Sequence, residues 1–180
     1  MLKSKWIDFF WKDLFKKSLA KSQSREDFLQ QTSFFQGFSP FQVHLMCEFL
    51  HSRQYVSGEH IFEVGHPGAA LYFIEAGQVS IELPSEKGAS PIAIALLEAG
   101  SFFGELALLD DAPRSASARA VKDVTVLALP RYELDRMLAQ SPVLGGLVYR
   151  SLAQITSTRL KGTIDRLQKE DRTMKVAVNG

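Results

Sequence analysis

A single cysteine in 180 residues, Cys47, excludes a disulfide framework and a cysteine-rich metal site. It lies in an apolar helical pattern and reads as a small core residue. Excess charge of either sign is also missing. The 21 basic and 20 acidic residues leave a net +1, so a broad basic nucleic-acid surface is not the dominant feature of the chain. Apolar residues make up 46% of the sequence, yet no run approaches the ~18 residues that cross a bilayer. The apolar N-terminal stretch is interrupted by Asp8, Lys12 and Asp13, which makes it a poor signal peptide, and a reducing cytoplasm is the expected compartment. The histidines, His44, His51, His60 and His66, lack the His-x-His-plus-Glu spacing of a metal site and read as surface or loop residues. No nucleophile–base arrangement is present, and no second acid beside Glu105 suggests hydrolysis, so catalysis is not expected.

What is present divides into three parts. Residues 1–22 carry Leu2, Trp6, Ile7, Phe9, Phe10, Trp11, Leu14, Phe15 and Leu19 on a wide helical stripe, with six lysines against two aspartates. A basic aromatic helix of this kind suits an anionic membrane surface. The two aspartates favour packing on its own domain or on a partner. Residues 23–170 form the main domain. A helical segment runs from about Ser24 to Phe49, with Ser24 and Asp27 as a cap, a break at Gly37, and a restart at Ser39-Pro40. From Gln54 to Pro130 short apolar runs alternate with glycine turns: Tyr55-Val56, Ile61-Phe62, Ala70 to Ala76, Gln78 to Leu83, Ile92 to Leu97, Ser115 to Ala120 and Val124 to Leu129. This pattern predicts a closed antiparallel sandwich or roll, about 52–130, with an interior wide enough for one small ligand. Helices follow over 131–169. Pro130 opens one through Leu138. Ser141-Pro142 opens a longer one with Leu144, Val148, Leu152, Ile155, Leu160, Ile164 and Leu167 near one stripe. Gly162 weakens that helix by about 1 kcal/mol relative to Ala and marks a hinge. Residues 171–180 are expected to be a flexible, frayed tail.

The most informative segment is Phe102-Phe103-Gly104-Glu105-Leu106-Ala107-Leu108-Leu109, followed after three residues by Pro113-Arg114-Ser115-Ala116. Glu105, when ionised, only accepts hydrogen bonds and can hold a sugar hydroxyl. Arg114 presents a charged planar fork that matches phosphate oxygens. Gly104 lets the backbone approach closely or adopt a positive φ. The residues after Glu105 form helix readily, and free amides at that start face an anion. Taken alone, a Glu and an Arg this far apart are more often a solvated surface pair.

With its flanking residues, the segment resembles the phosphate-binding cassette of cyclic-nucleotide-binding domains, and the resemblance covers roughly Asp27 to Leu167. It implies a mixed, mainly β fold: an eight-stranded antiparallel β-roll (double-stranded β-helix) flanked by N-terminal helices and a long C-terminal helix. It implies that Glu105 binds the ribose 2′-hydroxyl and Arg114 the cyclic phosphate. Ser115 adds amide and hydroxyl contacts, and amides near Leu106 and Ala107 complete the cradle with Gly104 and Ala116. Ile81, Ala95 and Leu97 line the sugar and base; as residues alone they read equally as barrel core. The last helix, in the family, pairs with its twin in dimers and closes over the base. Matching Arg159-Leu160 puts Arg159 and Thr163 nearest the base, with Thr158 as the neighbouring register.

The resulting expectation is a stand-alone cytoplasmic sensor for a cyclic purine nucleotide, cAMP first, with cGMP left open by the Ser115 hydroxyl. No other cofactor and no metal is expected. The output runs through the last helix, or through residues 1–22, to a protein partner. Family members that act on DNA carry a helix-turn-helix after this helix; only about ten residues remain here, so DNA is not an expected partner. The competing expectation is the same fold with no ligand, serving as a protein-interaction or membrane-associated module.

Overall fold

A computed structural model describes residues 25–178 apart from 86–89 and 111; of 107, 166 and 170–178 it describes the backbone only. The basic aromatic stretch 1–22, the Ser24 cap and the membrane contact expected from them therefore lie outside the described residues.

Among the described residues, eight strands form two antiparallel sheets. The strands are β1 (His51–Tyr55), β2 (His60–Phe62), β3 (Ala70–Ala76), β4 (Gln78–Leu83), β5 (Ile92–Glu98), β6 (Phe102–Phe103), β7 (Ser117–Ala120) and β8 (Val124–Pro130). One sheet runs β1-β8-β3-β6 and the other β2-β7-β4-β5. The roll is thus two facing ladders with an edge strand at each end. Between them, the described residues add an isolated bridge pairing Pro67 with Pro113.

Strand alternation builds two cores from the same strands. Ile74, Val79, Phe103, Ala118, Ala120, Val124 and Val126 pack between the sheets. Leu71, Phe73, Phe102, Leu127 and Leu129, one residue out of phase, pack on the opposite face against helices. Strands β3 and β8 are buried on both faces, which is why their sequences read as near-continuous apolar runs.

Those helices are α1 (residues 25–31), α2 (Pro40–Met46), α4 (Arg131–Gln140) and α5 (Pro142–Val178), with α3 (Leu106–Leu109) a single turn after β6. Ser39 caps α2 as expected: its hydroxyl accepts from the Gln42 amide, the Gln42 side chain accepts from the Ser39 amide, and Pro40 occupies the first helical position. A 3-10 turn at Ser33–Phe35 plants Phe34 edge-on against Phe73 and Phe102, with ring centres 5.1 and 5.6 Å apart. His51 on β1 lies 2.9 Å from the buried Glu133 on α4 and ties the two elements together.

Several boundaries differ from the sequence reading. Strand β1 starts at His51 and stops at Tyr55, paired along its length with Val124 to Ala128 of β8. Ser115 and Ala116 are bends, and β7 begins at Ser117. The last helix passes unbroken through Gly162 and continues to Val178, beyond the boundary set at residue 170. No proline follows Pro142 to stop it. Its apolar stripe divides: Leu144, Val148 and Leu152 are buried, whereas Leu160 and Leu167 are 60% exposed and Ile164 43%. Among the described residues no helix is long and apolar enough to cross a membrane.

Candidate functional site

The sharp turn into α3 depends on Gly104. Its φ is +83°, and a Cβ there would sit 2.9 Å from both the Ala70 carbonyl oxygen and Arg114 Nη1. No other residue type meets both requirements without strain. Glu105, directly after it, starts the α3 turn with helical φ and ψ. The chain then returns through Pro113 to Arg114, whose amide and carbonyl bond to the His66 carbonyl and the Gly65 amide.

These turns open onto a cavity of about 610 Å³. The roll contributes Ile81, Ala95, Leu97 and Phe103, the cassette contributes Gly104, Glu105, Leu106, Ser115 and Ala116, and α5 contributes Thr158, Arg159 and Thr163. The structure therefore gathers residues that the sequence places far apart. Ala107 lies in α3, with its side chain outside the described set. Phe62, Ile94 and Gly162 also line the cavity and were not named as site residues, Gly162 having been read only as a hinge. For Phe62 the only available signal was its place on a short inward strand. Ile94 reaches the wall because the β4–β5 register shifts beside Ile81, a break that an alternation pattern cannot show.

Two charged groups shape the site. Glu105 is 6% exposed, and its Oε1 accepts from Arg159 Nη1. Arg159 Nη2 also donates to the Phe102 carbonyl at 3.1 Å, and its guanidinium lies 5.0 Å from the Phe102 ring centre. The last helix is thus fastened to the cassette carboxylate. On the far side of Arg159 lies a second cavity of about 510 Å³, between the Ser33–Phe35 turn and α5, sharing Leu97, Thr158 and Arg159 with the first.

Arg114 departs from expectation. It is 6% exposed and does not line the cavity. Its Nη1 donates to the Gly104 carbonyl at 3.2 Å and its Nη2 to the Ala70 carbonyl at 2.9 Å. The guanidinium lies 3.9 Å from the Phe62 ring centre. Gly104 and Phe62 both line the cavity, so the cation sits one layer behind its floor. The reason is local: the Gly104 and Ala70 carbonyls lie within reach of the guanidinium and accept its donors. Its Nε is buried and has no partner. Among the described residues it forms no ion pair. Burial pushes its pKa below the ordinary arginine value, opposed by Tyr72 and by Glu105. Burial likewise raises the Tyr72 phenol, opposed by Arg114. A buried cation without a carboxylate partner is costly, and an anion in the adjacent cavity would relieve that cost.

Among the described residues no cluster of three or more His, Cys, Asp or Glu could hold a metal. Cys47 is half-buried against the helical core, and burial pushes its thiol up to about 11.

Residues 52–141 match the family model described as the cyclic nucleotide-binding domain. The chain is 36% identical over 146 residues to the cyclic AMP receptor protein of Thermus thermophilus, covering 79% of this chain and 65% of that one. It is 33% identical to a cAMP-dependent protein kinase regulatory subunit of Colletotrichum orbiculare, covering 72% of this chain and 32% of the relative. A solved cyclic nucleotide-binding domain from Methylobacillus flagellatus superposes with a TM-score of 0.71 at 26% identity, covering 84% of each chain. The chain spans about two thirds and about one third of the length of the two named relatives.

Proposed function

The chain belongs to the cyclic nucleotide-binding domain family, and on that premise we propose that it is a regulatory, non-catalytic cytoplasmic sensor whose larger cavity binds cAMP. Glu105 accepts the ribose 2′-hydroxyl. Arg114, with the Ser115 amide and hydroxyl and the amides near Leu106 and Ala107, neutralises the cyclic phosphate. Gly104 and Ala116 shape the cradle. Ile81 and Leu97 face the sugar and base, and Arg159 and Thr163 lie over the base from α5. The observation that carries this reading is the convergence of Glu105, Ser115 and α5 on one cavity, with a buried cation behind its floor whose Nε has no hydrogen-bond partner among the described residues.

Binding is relayed through α5. A ligand shifts an equilibrium only by its affinity difference between two states. The α5 side chains over the base supply that difference, because Arg159 and Thr163 line the cavity from the last helix and meet the ligand only while that helix lies on the cassette. The exposed stripe of Leu160, Ile164 and Leu167 is the surface that meets a partner protein or a second copy of the chain. The Ser115 hydroxyl, which lines the cavity, admits cGMP as the second ligand.

The alternative, a ligand-free interaction module, is favoured by one observation: Arg114 Nη1 and Nη2 already donate to two carbonyls, and Glu105 already accepts from Arg159. Calorimetry with cAMP, cGMP and their 2′-deoxy analogues on wild type and Arg114→Ala separates the readings. The sensor reading expects saturable heat with cAMP and at least tenfold weaker binding in the variant. No heat at millimolar nucleotide would establish the ligand-free module.

A further inference from the structure

The surroundings of Arg114 contain an aromatic assembly, two of whose rings, Phe62 and Tyr72, lie outside the cassette motif. Phe62 from β2 places its ring centre 3.9 Å from the guanidinium carbon, and Tyr72 from β3 places its own at 5.8 Å. Tyr72 stacks on Phe103 at 5.2 Å with planes 16° apart. Phe62 leans on both, 5.9 Å from Tyr72 and 5.8 Å from Phe103. The guanidinium is therefore fixed in two ways. Its edge donors meet the Gly104 and Ala70 carbonyls, and its flat face rests on Phe62.

An arginine cation is attracted to the negative face of an aromatic ring, and more strongly where water is excluded. An aliphatic side chain at position 62 would fill similar space without that attraction. Phe62 also lines the cavity, so it stands between the charge and whatever occupies the site. We propose that Phe62 is a positioning residue for Arg114: its ring sets the plane and depth of the guanidinium behind the cavity floor. The inference rests on the nucleotide reading above and adds a residue to it.

The test is a cycle on the full chain with cAMP as the probe. Phe62→Leu weakens cAMP binding by about 3- to 30-fold. Phe62→Tyr, which keeps the ring face, stays within about threefold of wild type. In an Arg114→Ala background, Phe62→Leu has no further effect, because the two residues act as one unit. An equal loss in both backgrounds would make Phe62 a cavity wall and overturn the proposal. Tighter binding by Phe62→Leu would overturn it too, since the ring would then be holding the cation away from the ligand. A readout independent of nucleotide is the proton NMR of Arg114. The Nε–H and Cδ protons are shifted upfield by the ring in wild type and Phe62→Tyr, and lose that shift in Phe62→Leu. Identical shifts in all three proteins would refute the positioning role even if cAMP binds. Absence of any cAMP binding by wild type would refute the nucleotide reading and leave the NMR comparison to decide the placement of Arg114.

Discussion

Arg159 on α5 and Glu105 at the start of α3 are joined side chain to side chain across 54 positions of sequence. This contact links the last helix to the carboxylate of the larger cavity. Glu105 is almost fully buried and Arg159 is about half exposed. Removing the arginine leaves a buried acceptor without its partner, so Arg159→Ala is expected to lower stability by about 1–3 kcal/mol. Hydrogen exchange should rise in α5 around residues 155–165, where exposed apolar side chains provide little other anchorage. Urea denaturation with matched exchange measurements checks both. An unchanged midpoint together with unchanged exchange would show that the contact contributes nothing.

Gly104 and Gly146 make opposite predictions from the same substitution. Gly104→Ala forces a side chain into a φ of +83° and places its Cβ 2.9 Å from a backbone oxygen and from Arg114. It is expected to cost about 1–3 kcal/mol and to displace the guanidinium. Gly146, exposed within α5, has nothing within 4 Å of a built Cβ. Gly146→Ala is expected to stabilise by roughly 0.5–1 kcal/mol through helix propensity. Thermal melts of the two variants should move in opposite directions.

The predictive reach of the sequence follows from whether the deciding interaction is local. The bounds of β3 and β4 were readable because Gly77 separates two apolar runs. Its φ of +92° and the Asp123 carbonyl oxygen, into which a Cβ would run, permit no side chain there. The α2 start was readable because Ser39, Pro40 and Gln42 are adjacent. The depth of Arg114 was not, since it is set by Ala70, 44 positions away, and by the Phe62 ring. Nor was the split of the α5 stripe, which depends on where the roll ends beneath the helix.

A pair outside the cavity gives a pH dependence. Glu82 on β4 accepts from Arg119 on β7 at 3.1, 3.3 and 2.6 Å. The Arg119 hydrogen bond holds the Glu82 carboxyl below its ordinary value, with burial opposing. A carboxylate whose pKa is lower in the folded state adds stability above its unfolded pKa, roughly 4.3. That contribution fades as pH falls through the folded value. Glu82→Gln is therefore expected to cost about 1–3 kcal/mol at pH 7 and distinctly less at pH 3. Urea midpoints for both proteins at the two pH values decide it; an equal difference at both would remove the assignment.

The last prediction concerns how Glu105 can serve two partners. An ionised carboxylate offers about four lone-pair positions on its two oxygens. Arg159 uses Oε1. A ribose hydroxyl can therefore be accepted without expelling the arginine, and the two bonds are expected to be additive rather than exclusive. It follows that Glu105→Ala weakens cAMP by at least tenfold, an amount set by the loss of a charged acceptor, and weakens 2′-deoxy-cAMP much less. It follows also that Arg159→Ala retains the preference of the site for the ribose form, because Glu105 is still there to read it. Competitive calorimetry with both nucleotides on the two variants provides the comparison. If Arg159→Ala instead abolished the ribose preference, Arg159 rather than Glu105 would be reading the hydroxyl. If Glu105→Ala weakened both nucleotides equally, the carboxylate would be holding α5 in place and not the sugar.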